Sequence, residues 1–148
     1  MVNKPKALGT AAETAVVRAL RTLGWPHAER RALAGAYDLG DITGCPGIVW
    51  EVKGGEAAKS ASDKQITKWL AETETERVNA GADVGVLVLQ RRGAGPRNAH
   101  RWWAYLRASY VFPNLPEDED FPVLMLLSYA CHVLRRAGYG QPLEAVVT

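Results

Sequence analysis

Helical spacing comes first along the chain. Val16, Leu20 and Leu23 recur at helical intervals behind Thr10-Ala11-Ala12-Glu13, which matches a capping box, and Gly24 with Pro26 closes the segment. This predicts a first helix over residues 10–23, preceded by a basic, Pro-containing lead over residues 1–8. Residues 27–37 are ambiguous, since 28–33 reads as a strand or as an extended arm ending at Gly35. The pattern then changes period. Gly40-Asp41-Ile42 leads through Gly44-Cys45-Pro46-Gly47 into Ile48-Val49-Trp50-Glu51-Val52-Lys53, a β-branched and aromatic strand. Alternation puts Val49, Glu51 and Lys53 on one face and Ile48, Trp50 and Val52 on the other. A turn centred near Pro46 makes the two arms a hairpin, with Asp41 roughly opposite Glu51.

Gly54-Gly55 ends that strand. Ser62-Asp63-Lys64-Gln65 is a second capping box, heading a helix that runs to residue 79 and breaks at Ala80-Gly81-Ala82. Ile66, Trp69, Leu70 and Thr73 form its apolar stripe, and Glu72, Glu74, Glu76 and Arg77 its solvated face. Val84–Leu89 is almost continuously apolar, as expected of a strand covered on both sides. A flexible connection over 93–98 leads to a returning strand over 101–106, where one of Trp102 and Trp103 must be buried because neighbours on a strand point oppositely. Residues 113–120 form an acidic loop that would lie away from a polyanion. Residues 121–138 read as a last helix with Val123, Leu126, Leu127, Ala130 and Leu134 as its stripe, packed on the sheet in preference to a partner subunit. The tail from Tyr139 carries no signal.

Composition adds limits. At 148 residues, 47% apolar and 23% charged, the chain suits a single soluble domain with a sizeable core. A net charge of +2 does not by itself mark a nucleic-acid binder, but the arginines cluster: Arg18, Arg21, Arg30 and Arg31 early, then Arg91, Arg92, Arg97, Arg101 and Arg107. A near-neutral total can hide a basic face. Cys45 and Cys131 have no zinc-ligand spacing and read as free thiols of a reducing cytoplasm. The N-terminus lacks a signal-peptide pattern, and the longest apolar stretch, near 123–127, is too short to span a bilayer. His27, His100 and His132 are scattered and carry no assigned role.

The candidate chemistry lies at the hairpin. Asp41, Glu51 and Lys53 would bring two carboxylates and an ammonium to one sheet edge, a cluster that suits a hard divalent cation and a phosphodiester. Glu-x-Lys alone is also an ordinary same-face ion pair; Gly-Asp-Ile at hairpin distance is what argues for chemistry. Asp38 competes with Asp41, which is better placed because it opens the hairpin strand. Glu13 either caps its helix or joins the site. Gln65 and Lys68 either cap and solvate their helix or project toward the strand end.

The order of Glu13 on a helix, Asp41 at a hairpin, Glu51-Val52-Lys53, Gln65 on a helix and an apolar strand resembles the PD-(D/E)xK nuclease superfamily. The resemblance covers residues 9–107, and within that superfamily it is similar to phage-encoded relatives of archaeal-type Holliday junction resolvases. Further matching features are Trp69-Leu70 with following acids, and Ala82-Asp83-Val84-Gly85-Val86 leading to Arg91-Arg92-Gly93. Gly40 stands where the family usually has proline. The resemblance implies an α/β, restriction-endonuclease-like core in αβββαβ order, a mixed sheet flanked by helices, with an extra C-terminal helix. It implies Mg²⁺, or Mn²⁺ in its place, on Asp41, Glu51 and the Val52 carbonyl. Lys53 would orient or help deprotonate the attacking water and offset phosphate charge, Glu13 would touch the metal site directly or through water, and Gln65 would hold Lys53 or a phosphate oxygen. DNA, branched or as a four-way junction, would meet Arg30, Arg31, Arg91, Arg92, Arg97 and Arg101, and a homodimer would present two sites. A non-catalytic DNA-binding module and a restriction-type nuclease are the alternatives.

Overall fold

The computed structural model describes residues 4–31 and 40–143, with residues 4–8 and 117 by backbone alone. Asp38, and with it much of the ambiguous 27–37 stretch, lies outside the described residues. The elements in chain order are α1 (Lys4–Thr22), β1 (Glu29–Arg30), β2 (Ile42–Thr43), β3 (Ile48–Lys53), α2 (Gly55–Lys59), α3 (Asp63–Ala80), β4 (Val84–Leu89), β5 (Trp103–Arg107), β6 (Pro122–Leu126) and α4 (Leu127–Arg136). Four strands form a mixed sheet in the order β3-β4-β5-β6, with β3 parallel to β4 and the other pairs antiparallel. The chain is therefore α/β, a mixed sheet flanked by helices.

Strand alternation decides what each face buries. Ile48, Trp50 and Val52 point into the larger core, where they meet Val16 and Leu20 of α1, Leu134 of α4, and Val86 and Val88 of β4. Trp25 packs edge-on against Trp50 with ring centroids 5.9 Å apart, a geometry favoured by the ring quadrupoles. The other face meets α2 and α3 through Ala58, Trp69, Leu87 and Leu89. The continuously apolar β4 is buried on both sides, as its sequence requires. Of the tryptophan pair, Trp102 is the fully buried member, its indole N–H donating to the Ala94 carbonyl at 2.8 Å, while Trp103 is half-buried.

Several sequence expectations are corrected. Helix α1 starts at Lys4, so residues 4–8 are helical backbone and Thr10 lies inside the helix, its carbonyl accepting from the Thr14 hydroxyl at 2.9 Å. The first capping box therefore caps nothing. The hairpin is not a ladder: β2 pairs with β1, Arg30 opposite Ile42 and Glu29 opposite Thr43. Gly44 explains the change of partner. Its φ is +83°, and a Cβ there would lie 2.0 Å from the His27 carbonyl oxygen, so only glycine lets this arm close on residues 27–30. Residues 121–138 are not one helix, because 122–126 add an edge strand to β5 before α4 begins. Pro122 fits there as the first residue of an edge strand, where a missing N–H costs no ladder bond. The connection over 93–98 runs into a 3-10 segment, Pro96–Arg101, which delays β5 to Trp103. Glu76 is buried instead of solvated. Tyr139 packs, its hydroxyl donating to Asp83 at 3.0 Å.

The second capping box holds in part. Ser62 Oγ accepts the Gln65 N–H at 3.2 Å, and Gly81 ends α3 in the left-handed conformation. Among the described residues no helix is long and apolar enough to cross a membrane.

Candidate functional site

Asp41 reaches its place through backbone held on both sides. Its N–H donates to the Trp50 carbonyl at 2.9 Å, and its carbonyl accepts the Arg31 N–H at 2.8 Å. Where the backbone leaves β3, the side chain continues the ladder: Asp41 Oδ2 accepts the Val52 N–H at 2.7 Å. The N–H and C=O of one strand residue point to the same side, so the Val52 carbonyl faces Asp41 as well. The approach depends on Gly40, whose φ is +94° and whose added Cβ would sit 2.8 Å from Val49 Cγ1. Proline is locked near φ −65° and cannot take that conformation. Glycine, and not proline, is therefore what the backbone requires at position 40.

Glu51 stands on the opposite face of β3 from Trp50 and is only 5% exposed. Its two oxygens are treated differently. Lys53 Nζ lies 3.0 Å from Oε1, whereas Oε2 is buried with no hydrogen-bond partner among the described residues. A carboxylate oxygen buried without a donor carries a desolvation penalty. Lys53 also lies 3.9 Å from Glu72 and 5.6 Å from the centre of the Trp69 ring. Burial alone would lower the Lys53 pKa, but Glu51, Glu72 and Asp41 outweigh it and hold the ammonium above its ordinary value. Lys53 is therefore a fixed positive charge near neutral pH and not a base.

Burial, then the Glu51 charge, push the Asp41 carboxyl up to about 7; Glu13 adds to this, while the Val52 N–H and Lys53 oppose it. Two carboxylates short of compensating charge are what a divalent cation would relieve. Asp41, Glu51, Val52, Lys53, Glu13, Gly9, Gly54, Ala57 and Trp69 line one cavity of about 290 Å³. The donor set, two carboxylates and a backbone carbonyl, is all oxygen and suits Mg²⁺, which keeps several waters of its own. Among the described residues no three His, Cys, Asp or Glu side chains form a ready-made metal cluster. Glu13, which lines the same cavity, accepts from Arg30 Nε through its Oε2 at 3.0 Å.

The remaining site expectations divide. Gln65 is not among the residues lining the cavity; its N–H serves the Ser62 cap. Arg30 is taken up by Glu13, and the exposed Arg92 pairs with the exposed Glu56 of α2. The Arg31 N–H holds the Asp41 backbone, and its side chain is half-buried. Arg97 and Arg101 are exposed, and Arg91 stacks on Trp103. Both thiols are buried and pushed up, Cys45 to about 11 and Cys131 to about 12, so neither is a nucleophile at neutral pH.

Sequence reasoning missed Trp69, Glu72 and Gln90. Glu72 follows the sheet-facing Trp69 by three positions, a spacing that puts it on the same side of α3. Gln90 fixes the strand end: its N–H donates to the Lys53 carbonyl at 2.9 Å and its Oε1 accepts the Gly55 N–H at 2.8 Å. Comparison with family models, with curated proteins and with solved structures returns no match.

Proposed function

We propose that the chain is a metal-dependent endodeoxyribonuclease on a restriction-endonuclease-like core, acting on branched DNA in the manner of a Holliday junction resolvase. The observation that carries this reading is the buried, unpartnered Oε2 of Glu51 in one cavity with Asp41 and Lys53. Asp41, Glu51 and the Val52 carbonyl would hold Mg²⁺, or Mn²⁺ in its place. When bound, the ion would supply Lewis-acid polarisation of the phosphate and a more acidic water. Lys53, kept protonated by its acidic neighbours, offsets negative charge that builds on the phosphate as its P–O bond breaks. Glu13 holds the Arg30 guanidinium at the cavity.

DNA is the partner that the basic segment suits. Residues 84–116 contain Arg91, Arg92, Arg97, Arg101 and Arg107 and no aspartate or glutamate. The C-terminal ends of the parallel β3 and β4 lie side by side, so Arg91 and Arg92 leave the sheet at the end where Lys53 sits. A homodimer would offer two cavities to the paired strands of a junction.

A second reading, a DNA-binding module without cleavage, is favoured by the absence of a three-carboxylate cluster among the described residues. Labelled duplex, flap and four-way junction DNA incubated with Mg²⁺ or with EDTA separates the two. The nuclease reading expects Mg²⁺-dependent cutting of the junction, abolished in Glu51→Gln with junction binding retained. Cutting by Glu51→Gln at the wild-type rate would remove Glu51 from the chemistry, and junction binding without cutting by wild type would favour the second reading.

A further inference from the structure

The sheet register sets Lys53 beside Leu89 and Leu89 beside Trp103. Leu89 and Trp103 pack in the same cluster as Trp69, over which the Lys53 ammonium also lies. Lys53 and Trp103 therefore share one face and one end of the sheet, two strand spacings or about 10 Å apart. Helices α1 and α4 cover the opposite face, and α3 lies mainly over β3 and β4. Trp103 is left half-buried, with the Arg91 guanidinium carbon 4.3 Å from its ring centre. Arg91 Nη1 also approaches the Arg101 carbonyl at 3.5 Å, a marginal contact. No described carboxylate pairs with Arg91, in contrast to Arg92 on Glu56.

We infer that the Arg91–Trp103 stack is a platform for an unpaired nucleotide flanking the phosphate at the Glu51–Lys53 cavity. This rests on the nuclease reading and narrows its substrate class within branched DNA to forms such as a flap, whose strand is single beside the cut, over a fully paired junction. A paired base inside a duplex offers only its edges and phosphates, because its faces are stacked on neighbours. An unpaired base offers a face, and a planar guanidinium backed by an indole is a flat, cationic surface to receive it. Charge favours a nucleic acid over a second copy of the chain: the segment 84–116 holds no carboxylate of its own and its Arg97 and Arg101 are exposed, while Arg92 pairs with Glu56 and Arg107 with Glu74 and Asp120. The spacing is suitable: about 10 Å spans roughly three nucleotides at the 3.4 Å rise of a stacked strand.

The test measures binding, with Ca²⁺ replacing Mg²⁺, of a blunt duplex and of the same duplex carrying a single-stranded tail. Wild type should prefer the tailed DNA. Arg91→Lys keeps the charge and loses the plane, and should weaken tailed binding roughly tenfold while changing blunt binding less than about twofold. Trp103→Leu should behave alike, whereas Arg97→Ala should weaken both DNAs equally. An unchanged tail preference in Arg91→Lys and Trp103→Leu overturns the platform. A Trp103→Leu protein that alters sedimentation but keeps its tail preference assigns the surface to a second copy and overturns it too. Failure of wild type to bind either DNA overturns the nuclease reading itself.

Discussion

The two sides of β3 are built on opposite principles. Ile48, Trp50 and Val52 face an apolar core against α1, α4 and β4, and Trp50 is fully buried. Val49, Glu51 and Lys53 face the other way and pass from buried and apolar, through buried and charged, to half-buried and cationic. Six consecutive residues thus supply both the clamp and what is clamped. The lesson is that the charged side can carry a buried carboxylate paired through only one of its oxygens because the apolar side stabilises the strand independently of it. Substitutions on the two sides should therefore have opposite signatures.

The largest effect is expected on the dry side. Trp50→Ala removes the ring that meets Trp25 and α1, and should destabilise the protein by about 3–5 kcal/mol. A urea melt of the variant beside wild type checks it, and a loss under about 1 kcal/mol would mean the two sides are not divided as described. Next comes Asp41. Its folded pKa of about 7 lies above the ordinary carboxylate value, so the folded chain binds the extra proton between the two values. The metal-free protein should therefore be most stable below pH 4 as far as this group is concerned, and lose stability as pH rises toward 7. Asp41→Asn, which retains an acceptor for the Val52 N–H, should stabilise the EDTA-treated protein at pH 8 by on the order of 4 kcal/mol at most. The gain should vanish near pH 4, and thermal melts at the two pH values read it directly.

A smaller effect is expected at Lys53. Lys53→Met leaves Glu51 buried without its ammonium and should cost the metal-free protein about 1–3 kcal/mol. Added Mg²⁺ should recover part of that loss, and a melt with and without the ion measures the recovery. Smallest is Arg92→Ala, which breaks a solvent-exposed pair with Glu56 and should shift stability by less than about 1 kcal/mol. If Arg92 instead proves as costly as Lys53, exposure is not what separates the two ion pairs.

Much of this division is written in the chain. The alternation of 48–53 assigns both faces of β3 correctly, the unbroken apolar run fixes β4 as central, and Ser62 marks the start of α3. That Asp41, Glu51 and Lys53 come together is legible because strand period puts Glu51 and Lys53 on one face and the glycine-rich stretch returns Asp41 beside them. What is not legible depends on tertiary partners. Gly44 closes on His27 and diverts the expected hairpin to β1, yet Asp41 still reaches β3 through one backbone bond and its own side chain. Pro5 and Gly9 hide the first turns of α1, because both read locally as breakers. The run 121–127 is apolar at every spacing, so no period distinguishes β6 from the start of α4. The pairing of Glu13 with Arg30 joins residues 17 apart and leaves no local trace.

The central claim is that Asp41 and Glu51 Oε2 share a divalent cation. Anomalous diffraction from crystals soaked in Mn²⁺ tests it most directly. A manganese peak is expected in the cavity lined by Asp41, Glu51 and Val52. A clear map with no peak in that cavity, or with manganese bound only elsewhere on the surface, would contradict it.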